Sequence, residues 1–187
     1  WVLLIGSIAL YMIAHMVQQA NSRHLRTLAE LNAVTYGDNM IADLYAGISI
    51  TDTLEQLLIS ADGRIDKFDT IADRMMADYV QSIQLAPGGV VTDIYSTEGN
   101  EAGKIDLIHD KDRGEIVNYG IDHDLLVIHG PFELKQGGYG IAIRNPVFLQ
   151  DENGNSYFWG LTIVIIKVPE IFRDSVDSLS GFGYQYR

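Results

Sequence analysis

The chain opens on an almost unbroken apolar run. Val2-Leu3-Leu4-Ile5, Ile8-Ala9-Leu10 and Met12-Ile13-Ala14 fall within Trp1 to Val17, which holds no Asp, Glu, Lys or Arg. A helix needs about 20 apolar residues to span a bilayer. The run is slightly shorter, but the chain starts at Trp1 rather than Met, so an incomplete transmembrane segment over 1–17 is expected. A buried core helix is the alternative. No small-x-small cleavage site follows, which argues against a signal peptide. From Gln18 the residues turn polar without a helix breaker, and Leu25, Leu28, Leu31, Ile41, Leu44 and Ile48 recur at helical spacing. No proline precedes Pro87. One long helix is therefore predicted, reaching to about Leu58 and stopped by Asp62-Gly63. Gly37 and Gly47 weaken it, each by about 1 kcal/mol relative to alanine. Its apolar stripe is expected either to pair with a second copy, giving a homodimer, or to dock onto its own domain.

A second helix is predicted from about Asp66, capped by that aspartate, with Phe68, Ile71, Ala72, Met75, Met76 and Tyr79 on one face. The period then changes. Ser82–Leu85 and Val90–Tyr95 read as strands joined by Pro87-Gly88-Gly89, since proline presets φ and glycine accepts the positive φ of a tight turn. A Gly- and Asp-rich crossing follows over Thr97 to Asp112, with a helix near Asp112 to Ile121. Leu125–His129 and Phe132–Leu134 read as short strands. Tyr139–Leu149 is a longer one in which Pro146 marks a bulge or an edge. Asn153-Gly154 signals a hairpin. Phe158–Val168 is nearly all apolar, as a strand covered on both faces would be. A last helix is predicted over Glu170 to Leu179, with Pro169 ahead of it. The fold class is therefore α+β, a long N-terminal helix followed by an antiparallel sheet of about five strands.

Composition narrows the function. The 187 residues are 47% hydrophobic, enough to bury a real core, and carry a net charge of −12. That field repels a phosphate backbone, so no nucleic-acid partner is expected. There is no cysteine, which excludes disulfides, thiolate nucleophiles and Cys-ligated zinc.

The chemistry-bearing residues point away from catalysis. Asp151-Glu152-Asn153-Gly154-Asn155 has calcium-loop composition, but glycine is fourth rather than sixth and the twelfth position is Thr162. His109, His123 and His129 stand among Asp106, Asp110, Asp112 and Asp124 without an HxH or HxxxH pair, so no metal site and no cofactor are expected. Glu98, Glu101 and Asp106 have no spacing that fixes a glycosidase-like pair. No nucleophile elbow and no P-loop occur. A small extracytoplasmic hydrolase ranks below a binding module, and no enzyme activity is expected within the chain. Arg144, amid Ile141, Ile143 and Val147, offers a guanidinium able to clamp a ligand carboxylate, or else it stands on an exposed face or closes an internal salt bridge. Tyr95, Tyr119, Tyr139 and Trp159 are expected either to wall the pocket or to fill the core.

Taken in order, Ile83-Gln84-Leu85-Ala86-Pro87-Gly88-Gly89-Val90-Val91, Ile94-Tyr95, Glu98-Gly99-Asn100-Glu101-Ala102, Gly130-Pro131, Gln136-Gly137-Gly138, Arg144-Asn145-Pro146-Val147-Phe148 and Phe158-Trp159-Gly160 resemble the CHASE family of extracytoplasmic sensor domains. The resemblance covers the middle and C-terminal two thirds of the chain. It implies a PAS-like fold, a small-molecule ligand and a cytoplasmic output such as a histidine kinase or diguanylate cyclase. Asp106 matches the aspartate that contacts adenine in the plant cytokinin-receptor members, although the residues before it differ. The expected organisation is then a membrane segment at 1–17, a signalling and dimerisation helix at 18–62 and a sensor domain at 63–187 outside the cell membrane. The end at Arg187 is expected to be a truncation. A membrane-anchored binding or adhesion module without signalling output is the alternative.

Overall fold

The computed structural model describes residues 2–96, 105–135 and 137–181. Glu98 and Glu101, Gln136 and the tail from Phe182 lie outside the described residues. The chain divides into two compact units: Trp1–Ile41 with Ser175–Arg187, and Ala42–Asp174.

The elements in chain order are helix α1 (Val2–Ser60), helix α2 (Phe68–Met75), strands β1 (Val80–Pro87) and β2 (Asp93–Tyr95), helix α3 (Gly114–His123), strands β3 (Val127–Glu133), β4 (Tyr139–Gln150) and β5 (Ser156–Val168), a 3₁₀ turn (Glu170–Phe172) and helix α4 (Arg173–Gly181). The strands form one antiparallel sheet in the order β2-β1-β5-β4-β3. This is the PAS-like α+β arrangement expected.

Helix α1 is uninterrupted, as the absence of proline predicted. Among the described residues, however, no helix is long and apolar enough to cross a membrane. In the first unit the helix exposes Leu10, Ile13, Val17, Leu25, Leu31 and Val34. In the second unit its final turns belong to the core. Ile50, Leu54 and Leu58 are buried with Phe68 and Ala72 of α2 against Ile83, Leu85, Val164 and Ile166 of the sheet. Full burial of such a side chain contributes about 1.5–3 kcal/mol. Leu44 and Ile48 pack against the same cluster, so they dock onto their own sheet rather than face a second copy. Gly47 explains how closely the helix approaches. A Cβ there would meet the Ile166 Cδ1 at 2.9 Å and the Ile143 Cδ1 at 3.0 Å. Two polar contacts fix the docking. Asn145 Nδ2 donates to Glu55 Oε2 at 2.8 Å, and Thr162 Oγ1 donates to the Thr51 carbonyl at 3.2 Å.

The opposite sheet face carries a second cluster. Ala86, Leu161 and Ile163 lie there with Val91, Leu107 of the crossing segment and Val117 of α3. Strand β5 is therefore covered on both faces, Val164 and Ile166 on one side and Ile163 and Ile165 on the other, which accounts for its unbroken apolar sequence.

Several boundaries depart from expectation. Asp66 does not cap α2; Lys67 in left-handed conformation occupies that position, and Phe68 begins the helix. Val90 and Val91 do not extend β2. The Val91 N–H donates to the Ile105 carbonyl at 2.9 Å, the Leu107 N–H donates to the Gly89 carbonyl at 2.9 Å, and Val90 bridges Asp106. That pairing fastens the crossing segment to the end of β1. The two short strands expected over 125–134 are one strand with a register shift between His129 and Phe132, because Gly130-Pro131 interrupts the ladder. Pro146 lies beyond the last β3 partner, Arg144, where a missing N–H leaves no bond unmade on that side. The helix predicted from Glu170 begins as a 3₁₀ turn.

Candidate ligand-binding site

A cavity of about 440 Å³ opens on the α3 side of the sheet, within the range of small-molecule sites. Its floor follows from strand register. Gln84 stands beside Ile163, Ile163 beside Arg144, and Arg144 beside Val127. One row along, Ser82, Ile165, Ala142 and His129 are neighbours in turn. Because side chains alternate across a sheet, residues two apart share a face. Ser82 with Gln84, Ile163 with Ile165, and His129 near Arg144 thus line one cavity. Ile105, Leu107, Asp112 and Arg113 supply the wall from the crossing segment, and Phe132 to Lys135 the other.

The wall is held by polar contacts of its own. Asp110 Oδ1 accepts from the N–H groups of Asp112 at 3.0 Å and Arg113 at 2.9 Å, and the Arg113 Nε lies 3.6 Å from the same oxygen. Asn118 Nδ2 of α3 donates to the Ile108 carbonyl at 3.1 Å. Gly89 lets Ile108 sit against the turn. Its φ is +85°, and a Cβ there would fall 2.3 Å from the Ile108 Cδ1.

The floor is apolar except for a few buried polar groups. Ser82 and Gln84 satisfy each other, Gln84 Nε2 donating to Ser82 Oγ at 2.9 Å. Arg144 is only 3% exposed. Its Nε and Nη1 are buried and find no hydrogen-bond partner among the described residues, and the same is true of His129 Nδ1. Burial, together with the nearby Arg113 charge, lowers the Arg144 pKa to about 10 against a weaker opposing pull from Asp110. The guanidinium therefore stays charged at neutral pH in a place that penalises charge. Burial also lowers the His129 pKa, reinforced by the Arg144 and Arg113 charges.

Of the six residues singled out from sequence, Arg144 alone lines this cavity. Asp106 turns back on its own segment. Its Oδ1 accepts from the N–H groups of Ile108 and His109, and its Oδ2 lies 2.8 Å from His109 Nδ1. The His109 bonds, led by the side chain, lower its pKa. An Asp106–Arg144 ion pair is therefore not the arrangement found. Tyr95 donates its hydroxyl to Asp73 of α2. Tyr119 is exposed and stacks on His123 with centroids 4.3 Å apart. Tyr139 is exposed at the start of β4. Trp159 packs with the α1/α2 cluster, beside Gly63. The Asp151 carboxylate is occupied by Asn153 and Asn155, closing the β4–β5 hairpin. No group of three or more His, Asp or Glu that could hold a metal occurs among the described residues.

Ser82 and Gln84 were missed, and His129, weighed from sequence only as a metal ligand, lines the cavity instead. The signal for Ser82 and Gln84 was the polar alternation Ser82-Ile83-Gln84-Leu85 inside a strand that pairs on both sides.

No family model matches the chain, and no curated protein does. Among solved structures, the chain is similar to an extracellular ligand binding receptor from Desulfohalobium retbaense DSM5692, with a TM-score of 0.56 at 15% identity over 76% of this chain. The match spans a quarter (25%) of the receptor's length. Likeness at this identity is a likeness of fold.

Proposed function

We propose that this chain is the extracytoplasmic ligand-sensing module of a transmembrane signalling protein, of the CHASE type that its sequence words resemble, with a histidine kinase or diguanylate cyclase as output. The observation that carries the reading is the buried Arg144, whose Nε and Nη1 have no partner among the described residues at the floor of a cavity of about 440 Å³. A fold does not leave such a group uncompensated without reason, and a bound ligand supplies one. The similarity to a receptor of related fold adds to this reading.

The route from ligand to output begins at the next residue. Arg144 faces the cavity and Asn145, on the other face, holds Glu55 of α1. Ile163 lines the cavity and Thr162 holds the Thr51 carbonyl. A ligand that shifts β4 or β5 changes the relative free energies of the α1 positions these bonds select. The apolar run of 1–17 attaches the module to the membrane, and Leu31, Val34 and Ile41 of α1, spaced three and seven apart and exposed, pair with those of a second copy.

The test is a small-molecule library screened by thermal denaturation, followed by amide exchange with each compound that stabilises. Altered protection over Ile50–Leu58 supports a sensor. Stabilisation without any change in α1 favours a binding module with no output.

A further inference from the structure

We propose that the cavity takes a monocarboxylate with an apolar body, its carboxylate seated on Arg144 and its body against the β5 and Phe132 walls. The proposal rests on the reading of the cavity as a ligand site and names the ligand's chemistry. Three observations carry it.

The first is the guanidinium. A side chain only 3% exposed, with two donor atoms unpaired among the described residues, calls for an acceptor carrying negative charge. Among the described residues no carboxylate bonds the Arg144 Nε or Nη1. Asp106 caps its own turn, and Asp110 accepts from Asp112 and Arg113. His129 Nδ1 offers a second unpaired buried atom on the neighbouring row of the floor. It serves as a second contact to the carboxylate.

The second is charge balance. The lining holds three cations, Arg113, Lys135 and Arg144, and two anions, Asp112 and Glu133. Arg113 is already paired with Asp110, so the positive charge to be matched is the buried one on Arg144, and one carboxylate matches it. A phosphate dianion would leave a negative charge unmatched, inside a chain whose net charge is already −12.

The third is the remaining surface. Ile105, Leu107, Phe132, Leu134, Ile163 and Ile165 line the same cavity. They suit an aliphatic chain or an aromatic ring.

The probes are acetate, butyrate, hexanoate, benzoate and phenylacetate, each with its primary amide, together with inorganic phosphate and hexylamine. Thermal denaturation and calorimetry are run on the full chain. The expected result is stabilisation by the larger carboxylates, none by their amides, phosphate or the amine, and affinity growing with apolar size. Arg144→Lys should weaken binding by about 10–100-fold, the range of a charged hydrogen bond. The carboxylate–amide comparison needs no variant, so it stands even if Arg144→Lys folds poorly. Equal binding of acid and amide overturns the carboxylate assignment while leaving the ligand site in place, and so does binding of phosphate or hexylamine alone. If no probe binds, the assignment falls. The wider library then decides separately whether the cavity binds small molecules at all.

Discussion

Replacing Arg144 with methionine should stabilise the ligand-free protein. Methionine is of similar length, unbranched and adaptable in a core. The guanidinium it removes is 3% exposed and carries two donors unpaired among the described residues. Its pKa falls from 12.5 to about 10 through burial. At about 1.4 kcal/mol for each pKa unit, that fall corresponds to about 3 kcal/mol by which folding disfavours the charged side chain. A second route gives a similar figure, since a buried unsatisfied donor costs about 1–3 kcal/mol. Imperfect repacking around the thioether offsets part of this, typically by less than about 1.5 kcal/mol. The net expectation is a gain of about 1–3 kcal/mol, or about 2–10 °C in Tm for a chain of this size. Urea denaturation followed by circular dichroism, without ligand, measures it. Exchanging stability for a ligand contact is a common trade at binding sites. If Arg144→Met instead lowers stability by a kcal/mol or more, the guanidinium is already compensated inside the fold and the case for a ligand at that place collapses.

Three further outcomes follow from the same structure. The folded-state pKa of His129 lies below its ordinary 6.5, so the unfolded chain takes up that proton first; stability should drop as pH falls from about 7 through 6.5 and level off below the depressed value. His129→Gln should remove that slope, and identical pH profiles for variant and parent would contradict the assignment. Leu31→Glu with Val34→Glu should weaken self-association at least about tenfold by putting charge into an apolar seam, with melting of the dilute monomer unchanged because both side chains are exposed; an unaltered sedimentation profile places the interface elsewhere. Gly89→Val should destabilise by about 1–3 kcal/mol, since φ is +85° and the new Cβ would strike Ile108; a melting curve matching the parent would show that the crossing segment does not pack where the geometry puts it.

The fold was more legible than the site. Phe158–Val168 announced a strand covered on both faces, and the absence of proline before Pro87 announced an unbroken α1, because each depends on the local pattern alone. Helical spacing identified Leu44 and Ile48 as one apolar face but could not say what covers it, and the sheet does. Val90 was read with β2 because its apolar character fits any strand, whereas its actual partner is the distant Asp106. The site depends on register. Ser82, Gln84, His129 and Arg144 are far apart in sequence and become neighbours only once β1, β5, β4 and β3 are aligned. Asp106 illustrates the converse error. A lone carboxylate among glycines and histidines looks available, yet the backbone N–H groups two and three residues on already occupy it. Tyrosines at strand and helix positions carried no mark of which face they would take, and Tyr119 and Tyr139 took the solvent-facing one.

The most direct test of a ligand site at Arg144 is a small-molecule library screened by thermal denaturation on the parent and on Arg144→Met side by side. A ligand bound only by the folded state adds about 2.7 kcal/mol when its concentration is 100-fold above Kd. The account predicts compounds that stabilise the parent by this order and leave the variant unmoved. Compounds that stabilise both proteins equally, or a library in which none stabilises the parent, would contradict it.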